Sequence, residues 1–566
     1  MILDLNSLSN NQLELLNKLS IKIKDDYNLL IEEIYSKSNK KIGWVVNSLL
    51  SRNPYLSDLF INILYLLFIK EILEKNKNIV RVILIDDSIY KTLLRYLQDN
   101  EIDVEVIFNK KINESIYRIS KSFVNNVFYS FLFFFNKKIH SRDKKTLNNE
   151  IRLIDIFWDK KMFDNHNYND KYYGQLLDFF TKKERQSIYH LPHIVEVKKL
   201  SFFRRKSKLM DINVIFKHDY LKISDYLFAL IMPFRLKFDK KIKFKGINIE
   251  NLLVRDFRNN IFNTSSFYGL LNYRFVMRLK NHFPSNIKLF VNWFENQVID
   301  RGLNKGFNDY FEDLNTKGFQ GFVVSLDYNS YLCPTKLEMK QGVLPKEIYT
   351  CGKGLETSLK RFNKDLNIKT ISALRFEHLW NRQSTKMVKV EPENNILVIL
   401  PFVYHESIKI IIKIFEISTD YRIKDLKFRL KLHPDLNKEK LLSLIDPLPE
   451  NIEFENRNIH DSFRRTILIV GNTSSACVEA LAFGIPAIIL GDRVGLTQNP
   501  IPLAIDKLIW RQVFGSEELL DAIIHFIYIK KTEHVKLNKY SDNIKLNYFE
   551  PMSKDTIRGF LDFDLR

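Results

Sequence analysis

TILIVGNTSSACVEALAFGIPAIIL, residues 466–490, is the stretch whose reading decides the fold. Residues 466–470 form an almost unbroken apolar run, as expected of a parallel strand covered on both faces. Gly471 permits a tight turn. Asn472, Thr473, Ser474 and Ser475 then open a helix expected over 475–483. Backbone N–H groups, hydroxyl donors and the positive end of the helix dipole converge there and suit an anion. Ser and Thr are also the usual helix caps, so the turn alone reads equally as a capped helix. Gly484-Ile485-Pro486 stops the helix and leads into a second buried strand at 487–490.

Working outward, further apolar strands fall at 396–400, 427–432 and 452–454, with helices between them at 407–417 and 438–445. This predicts a compact Rossmann-like domain over 395–535. Upstream, VRVILI (80–85), the amphipathic IYKTLLRYLQD (89–99) and IDVEVIF (102–108) read as a strand, a helix and a strand of a parallel sheet. The same rhythm returns at 151–157, 212–216, 287–294 and 321–326. Residues 76–350 are therefore expected to form a first Rossmann-like domain, serving the acceptor and carrying helical insertions. Residues 1–75 read as a helical segment, with apolar spacing over 11–35 and a second helix after Asn53-Pro54. Residues 351–394, with Gly352, Gly354 and Pro392, read as the interdomain connection, and 536–566 as a tail closing helically on either domain. The expected class is α/β, two doubly wound domains whose strand carboxyl ends face a cleft, where such sheets bind ligands.

The stretch TSSACVEALAFGIPAI resembles the donor-binding segment of GT-B glycosyltransferases, in which an EAxxxGxP pattern follows a Ser- or Gly-led helix. RLKLHP at 429–434 puts His433-Pro434 at a strand end, about forty residues before the Ser-Ser pair. That pairing is similar to the signatures of bacterial sialyltransferases, polysialyltransferases and Kdo transferases. The resemblance covers about 395–500, and the whole chain resembles large bacterial surface-carbohydrate biosynthesis proteins. It implies a CMP-activated acidic sugar as donor, with His433, Pro434, Ser474 and Ser475 at its phosphate. Gly471, Asn472, Thr473 and Glu479 would complete the donor site. It implies no cofactor beyond the nucleotide-sugar substrate and no bound metal. The chemistry is compatible: CMP departure builds negative charge on a phosphate oxygen, which a hydrogen-bonding or protonated His433 and fixed donors stabilise. Lys431, two residues before His433, is expected on the same strand face.

The first domain must supply a base if the enzyme inverts. Glu295, just past IKLFVNWF (287–294), is the leading candidate, because Trp293 and Phe294 can raise its pKa toward useful basicity. FENQVIDRGLNKG (294–306) is similar, less specifically, to the matching segment of the same surface-carbohydrate proteins. The plainer reading is a Glu in the first turn of a helix, with Asp300-Arg301 a structural pair. Asp159, Asp86, Asp87 and Asp327 also follow apolar strands and rival Glu295. Asp159, Asp300, Arg301, His405 and Asn499 are candidates for acceptor or pocket contacts. Tyr404 and Ser407, at the mouth of 396–400, join them, although Ser407 suits a helix cap equally. Asn499 belongs to GDRVGLTQNPIP (491–502), a stiff loop at a strand carboxyl end.

Composition sets the outer bounds. Hydrophobic residues are 45% and charged residues 27% of the 566, the profile of a folded protein. Lys and Arg exceed Asp and Glu by 87 to 67, a formal +20. The Lys, Ile and Asn richness is that of AT-rich coding, and no DNA- or RNA-binding module is legible, so no nucleic-acid partner is expected. The three cysteines form no CxxC pair, which excludes a disulfide framework. The N-terminus lacks the layout of a signal peptide, so a cytoplasmic location is expected. SFVNNVFYSFLFFF (122–135) is too short and too interrupted to span a bilayer. It reads as a buried or partner-facing helix, or as one lying in the bilayer surface at the cytoplasmic face of the inner membrane. Residues 220–238, broken by Pro233, form a second such candidate. The expected partners are a nucleotide-sugar and a glycan or lipid-linked glycan acceptor. Alternatives are a UDP- or GDP-sugar donor, a polyol-phosphate donor, and a noncatalytic GT-B-like scaffold in capsule or lipopolysaccharide assembly.

Overall fold

The computed structural model describes residues 1–108, 115–140, 150–163, 167–194, 199–326, 332–380, 394–434, 436–445, 447–492 and 495–564, the side chains of 115–118, 136–140 and 534 excepted. Asp327 lies outside the described residues. The chain begins with strand β1 (Ile2–Asp4) and the helices Asn10–Lys22 and Lys24–Ser36, the first closed by a Ser9–Gln12 capping box. Strands β2 (Arg81–Leu84) and β3 (Glu105–Phe108) flank the helix Tyr90–Asp99, as the sequence predicts. Their sheet, however, is a separate parallel β1-β2-β3, not part of the larger one. Three residues of β1 are too few to show alternation in the sequence, yet they occupy the edge of β2. This module has its own core, with Leu3, Trp44, Leu64 and Val82 fully buried.

The first large sheet holds β4 (Ile151–Trp158) and β5 (Ile188–Ile194). After a short hairpin of β6 (Lys243–Phe244) and β7 (Ile247–Asn248) come β8 (Ile287–Trp293), β9 (Asn315–Gln320), β10 (Glu347–Thr350) and β11 (Ile368–Thr370). All six strands are parallel, in the order β11-β10-β9-β8-β4-β5. Two expected strands differ. Residues 212–216 contribute only a single bridge, Val214 to His190. The strand expected at 321–326 lies six residues earlier, in the polar NTKGFQ of β9. Val323 and Val324 are buried as loop residues, while Lys317 inside β9 is satisfied by the tail, donating to the Phe560 carbonyl at 3.0 Å. β10 and β11 carry the sheet to residue 370, into the stretch expected as connection.

The second large sheet follows the expected strands closely: β12 (Asn395–Ile399), β13 (Lys427–Lys431), β14 (Ile452–Phe454), β15 (Thr466–Gly471) and β16 (Ala487–Leu490), with β17 (Trp510–Val513) added. Its parallel order is β14-β13-β12-β15-β16-β17. In chain order this is 3-2-1-4-5-6, the doubly wound dinucleotide-binding order, and the first sheet is its 2-1-3-4-5-6 relative. The molecule is thus α/β of the GT-B type, with two Rossmann-like domains. Each sheet has one topological switch point, between β4 and β8 in the first and between β12 and β15 in the second.

The tail serves both domains. Helix His534–Tyr548 packs on Ala476–Ala482 and over Gly352, where an added Cβ would lie 2.4 Å from the Tyr548 backbone. Helix Lys554–Phe560 returns to the first sheet, and Arg558 pairs with Glu184 at 2.8 Å. Among the described residues no helix is long and apolar enough to cross a membrane.

Candidate active site

The second-domain switch point is lined by 400–403 after β12 and 472–475 after β15. Gly471 packs so closely that a Cβ there would meet the Cys477 sulfur at 2.8 Å. Residues 472–476 are half-buried, open to the cleft beyond an otherwise buried strand. Asn472 accepts from the Thr473 N–H at 2.6 Å and stiffens the turn. The Ser474 hydroxyl accepts from the Ala476 N–H at 3.3 Å, whereas the Ser475 side chain makes no capping bond. The helix that follows, Ala476–Ala482, is only seven residues long and ends at Gly484 (φ +76°). Its dipole is correspondingly short, so the anion-binding capacity lies in the hydroxyls and N–H groups of the turn.

His433 and Pro434 follow β13, the neighbour of β12. The His433 ring lies 6.0 Å from Phe402, itself on the loop after β12. Tyr404 ties this corner together, its hydroxyl accepting from the Asn437 N–H at 2.9 Å. Lys431 turns elsewhere: its ammonium donates to the Glu455 and Arg457 carbonyls and holds the loop after β14. Ser407 is buried and donates to the Pro401 carbonyl at 2.9 Å, a purely local bond. His405 is exposed. Asn499 is buried and accepts from the Ile501 N–H at 3.0 Å, shaping its loop from within.

At the first-domain switch point stand Asp159, after β4, and Glu295, after β8. Asp159 accepts from the Lys161 N–H at 2.6 Å and pairs with Lys171 at 2.7 Å. Glu295 is half-buried and accepts from the Trp293 indole at 2.7 Å. Burial raises its carboxyl above the usual range, against the pull of Trp293 and Arg375. The next residue, Asn296, is left-handed (φ +57°), and its amide donates to the Leu332 carbonyl and to Glu338, both at 2.9 Å. A non-glycine residue held there is a strained position, maintained by its surroundings. Asp300 accepts from the N–H groups of Glu295 and Gln297, each at 3.0 Å, and so fixes the turn that presents Glu295. Burial, with the neighbouring carboxylates of Glu295 and Asp155, pushes Asp300 well above the usual range.

Arg301 belongs to the scaffold. It is 1% exposed, pairs with Glu338 and donates to the Leu50 carbonyl at 3.1 Å, while Arg52 meets the same Glu338 at 2.7 Å. Withdrawing it toward a substrate would break a buried pair at a cost of about 3–5 kcal/mol. Asp86 and Asp87 lie in the N-terminal module: Asp86 accepts from the Ser88 N–H at 2.6 Å and Asp87 pairs with Arg255 at 3.0 Å.

The two switch points face each other. Lys161, after β4, donates to the Pro434 carbonyl at 2.6 Å, and Tyr55 of the N-terminal module lies 6.4 Å from Phe402. The segment 371–380 (ISALRFEHLW) runs between them. Its Arg375 lies over Trp293, 5.5 Å from the ring, and three residues on His378 approaches Glu479 at 3.6 Å. His460 completes that corner, its ring 3.6 Å from His378. Arg375, His378 and His460 belong to none of the motifs. For Arg375 and His378 the one signal is the density of cationic and aromatic residues in a stretch joining two Rossmann units; His460, on the helix Ile459–Phe463 of the second domain, carries none. Among the described residues, His378, His460 and Glu479 gather their ligand atoms within 4.8 Å, a set able to hold a divalent cation.

A cavity of about 610 Å³ adjoins this cleft through Asn472 and Thr473. Glu406, Glu416, Asp492, Glu517 and Glu518 dominate its wall over Lys409 and Lys413. So acidic a wall repels a phosphate from the body of this cavity, away from the turn residues Asn472 and Thr473 at its edge.

No family model matches the sequence, and neither does any curated protein. Among solved structures, the chain is similar to MnaA of S. aureus in its UDP co-structure, at 10% identity and a TM-score of 0.42, over 73% of this chain and 98% of that one. It is similar to the UDP-GlcNAc 2-epimerase of Neisseria meningitidis bound to UDP-GlcNAc, at 12% identity and a TM-score of 0.42, over 73% and 99%. The glycosyltransferase SnogD of Streptomyces nogalater follows at 12% identity and a TM-score of 0.35, over 73% and 99%.

Proposed function

We propose that this chain is a glycosyltransferase that moves an acidic sugar of the nonulosonate or Kdo type from a CMP-activated donor to a glycan acceptor in bacterial surface polysaccharide assembly. The observation that carries the proposal is the opposition of the two switch points. The Ser474-Ser475 turn is open to the cleft at one, the half-buried, raised carboxyl of Glu295 stands at the other, and Lys161–Pro434 ties the two together. The hydroxyls and N–H groups of 472–475 bind the donor phosphate. The acceptor hydroxyl gives its proton to Glu295 as its oxygen bonds the anomeric carbon. The bond from that carbon to the phosphate oxygen breaks, its electron pair leaves with CMP, and His433 stabilises the charge by hydrogen bonding or proton donation. Attack opposite the leaving phosphate inverts the anomeric centre. Asp300 acts at one remove, by fixing the Glu295 turn.

The test is thermal unfolding of the full chain with CMP, UDP or GDP. CMP at roughly 100 times its Kd should stabilise the chain by about 2.7 kcal/mol, with less from UDP and GDP. Ser474→Ala with Ser475→Ala should abolish that gain and leave the ligand-free midpoint unchanged. Protection by UDP alone overturns the CMP assignment. Full protection of the double variant overturns the phosphate site.

A further inference from the structure

Two segments with no place in the cleft come together on its flank. Helix Ser115–His140 packs against helix Ile223–Ile231, which continues into the turn Met232–Arg235. Their inward residues are accounted for: Asn126 donates to the Phe262 carbonyl at 2.9 Å, and the Phe133 ring stacks on His218 at 3.4 Å. Asp225 is fully buried between Arg274 and Arg278.

Their outward residues have no such cover. Val124, Phe128, Phe131 and Phe135 recur at helical spacing on one face, and Ile223, Leu227, Ile231 and Phe234 do the same on the other element. All eight are between 45% and 64% exposed. Phe123 and Phe234 both pack on Phe262, each at 5.0 Å, so the two stripes form one surface. Eight half-exposed large side chains amount to roughly 800 Å² of apolar area, above the few hundred expected of a monomer's largest patch.

Charge identifies the occupant. Helix Ser115–His140 contains no Asp or Glu, and the one acid of Ile223–Ile231 is the buried Asp225. The exposed charges at the margins are the cations Lys121, Lys222, Arg235 and Lys237, followed by one acid, Asp239, that is itself succeeded by the exposed Lys240 and Lys241. Two copies apposed through this face would set lysine against lysine on chains of +20 each. An anionic bilayer offers both an acyl layer for the stripes and phosphates for the basic margin. We infer that this two-helix face docks the protein on an anionic lipid surface, each helix lying in the interface without crossing it.

The face lies on the acceptor side: Phe133 and His218 line a small pocket with His193 and Ile194, at the carboxyl end of β5. Docking would therefore bring the mouth of the first domain to the membrane. That consequence rests on the proposed function, whereas the docking itself does not.

The experiment is co-sedimentation of the full chain with vesicles of phosphatidylcholine alone or mixed with phosphatidylglycerol. The wild-type chain should pellet with the anionic vesicles, far less with the neutral ones, and less again as salt is raised. The variant Phe128→Ser, Phe131→Ser, Leu227→Ser should partition at least about tenfold more weakly. Its thermal midpoint should be unchanged, since all three side chains are exposed. The variant Lys121→Glu, Lys222→Glu, Arg235→Glu should lose the preference for anionic vesicles. Failure of the wild type to pellet, or a serine variant that pellets like it, overturns the inference. So does a wild-type dimer in sedimentation velocity that the serine variant dissolves while vesicles have no effect. Neither result touches nucleotide protection, which reports on the cleft separately.

Discussion

Glu295 owes its chemistry to its neighbours more than to its own position. Trp293 donates to it, Arg375 approaches from the connecting segment, and the left-handed Asn296 and the Asp300 cap fix the turn that carries it. Burial keeps its pKa above the ordinary 4.5, so its basic form is lost at a higher pH than for an exposed glutamate. Transfer should therefore fall on acidification through that raised pKa, because protonation removes the base. Glu295→Gln should lower kcat by about 10²–10⁴-fold and erase this acid limb, with nucleotide protection intact. A variant with the wild-type rate and profile would remove Glu295 from the reaction and return Asp159 to consideration.

At the scale of elements, β4 carries a further buried acid, Asp155. Burial lifts it from the ordinary 3.8 to about 7, with Lys217 pulling the other way. A carboxyl raised in the folded state adds stability that is fully present below about pH 4 and is lost as the pH rises through about 7, because only the unfolded chain ionises freely in between. The melting point of Asp155→Asn should therefore gain on that of the wild type from about pH 4 to about pH 7 and hold steady above. A gap independent of pH would show Asp155 ionised in the folded chain. The elements also show what a sequence can and cannot reveal. β12 to β16 announced themselves, because strands buried on both faces must be apolar throughout and their connections here are short. β9 did not, since its Lys317 is satisfied by tail carbonyls some 240 residues away. Nor did β1, whose three residues become a strand only beside β2. Ser474, Ser475 and Glu295 were legible as strand-end residues. Arg375 and His378 were not, because the packing of a linker, and no local pattern, sets them there; nor was His460, whose short helix Ile459–Phe463 becomes part of that corner only by meeting His378.

For the whole molecule, three units meet at one cleft. Tyr55 comes from the N-terminal module, Lys161 and Glu295 from the first domain, and Pro434 and the Ser-Ser turn from the second, while the tail fastens both domains from behind. A second face, remote from these residues in sequence, offers apolar stripes edged with lysine. The central claim is that the two switch points act together on one nucleotide-linked sugar. The most direct measurement is the rate of nucleotide release from CMP-linked acidic sugars, and from UDP- and GDP-linked sugars, with a glycan acceptor present. It is read on the wild-type chain, on Ser474→Ala with Ser475→Ala, and on Glu295→Gln. CMP release by the wild type, lost in both variants, is the expected result. Release at the wild-type rate by both variants would contradict the claim, as would a chain that releases no nucleotide from any donor.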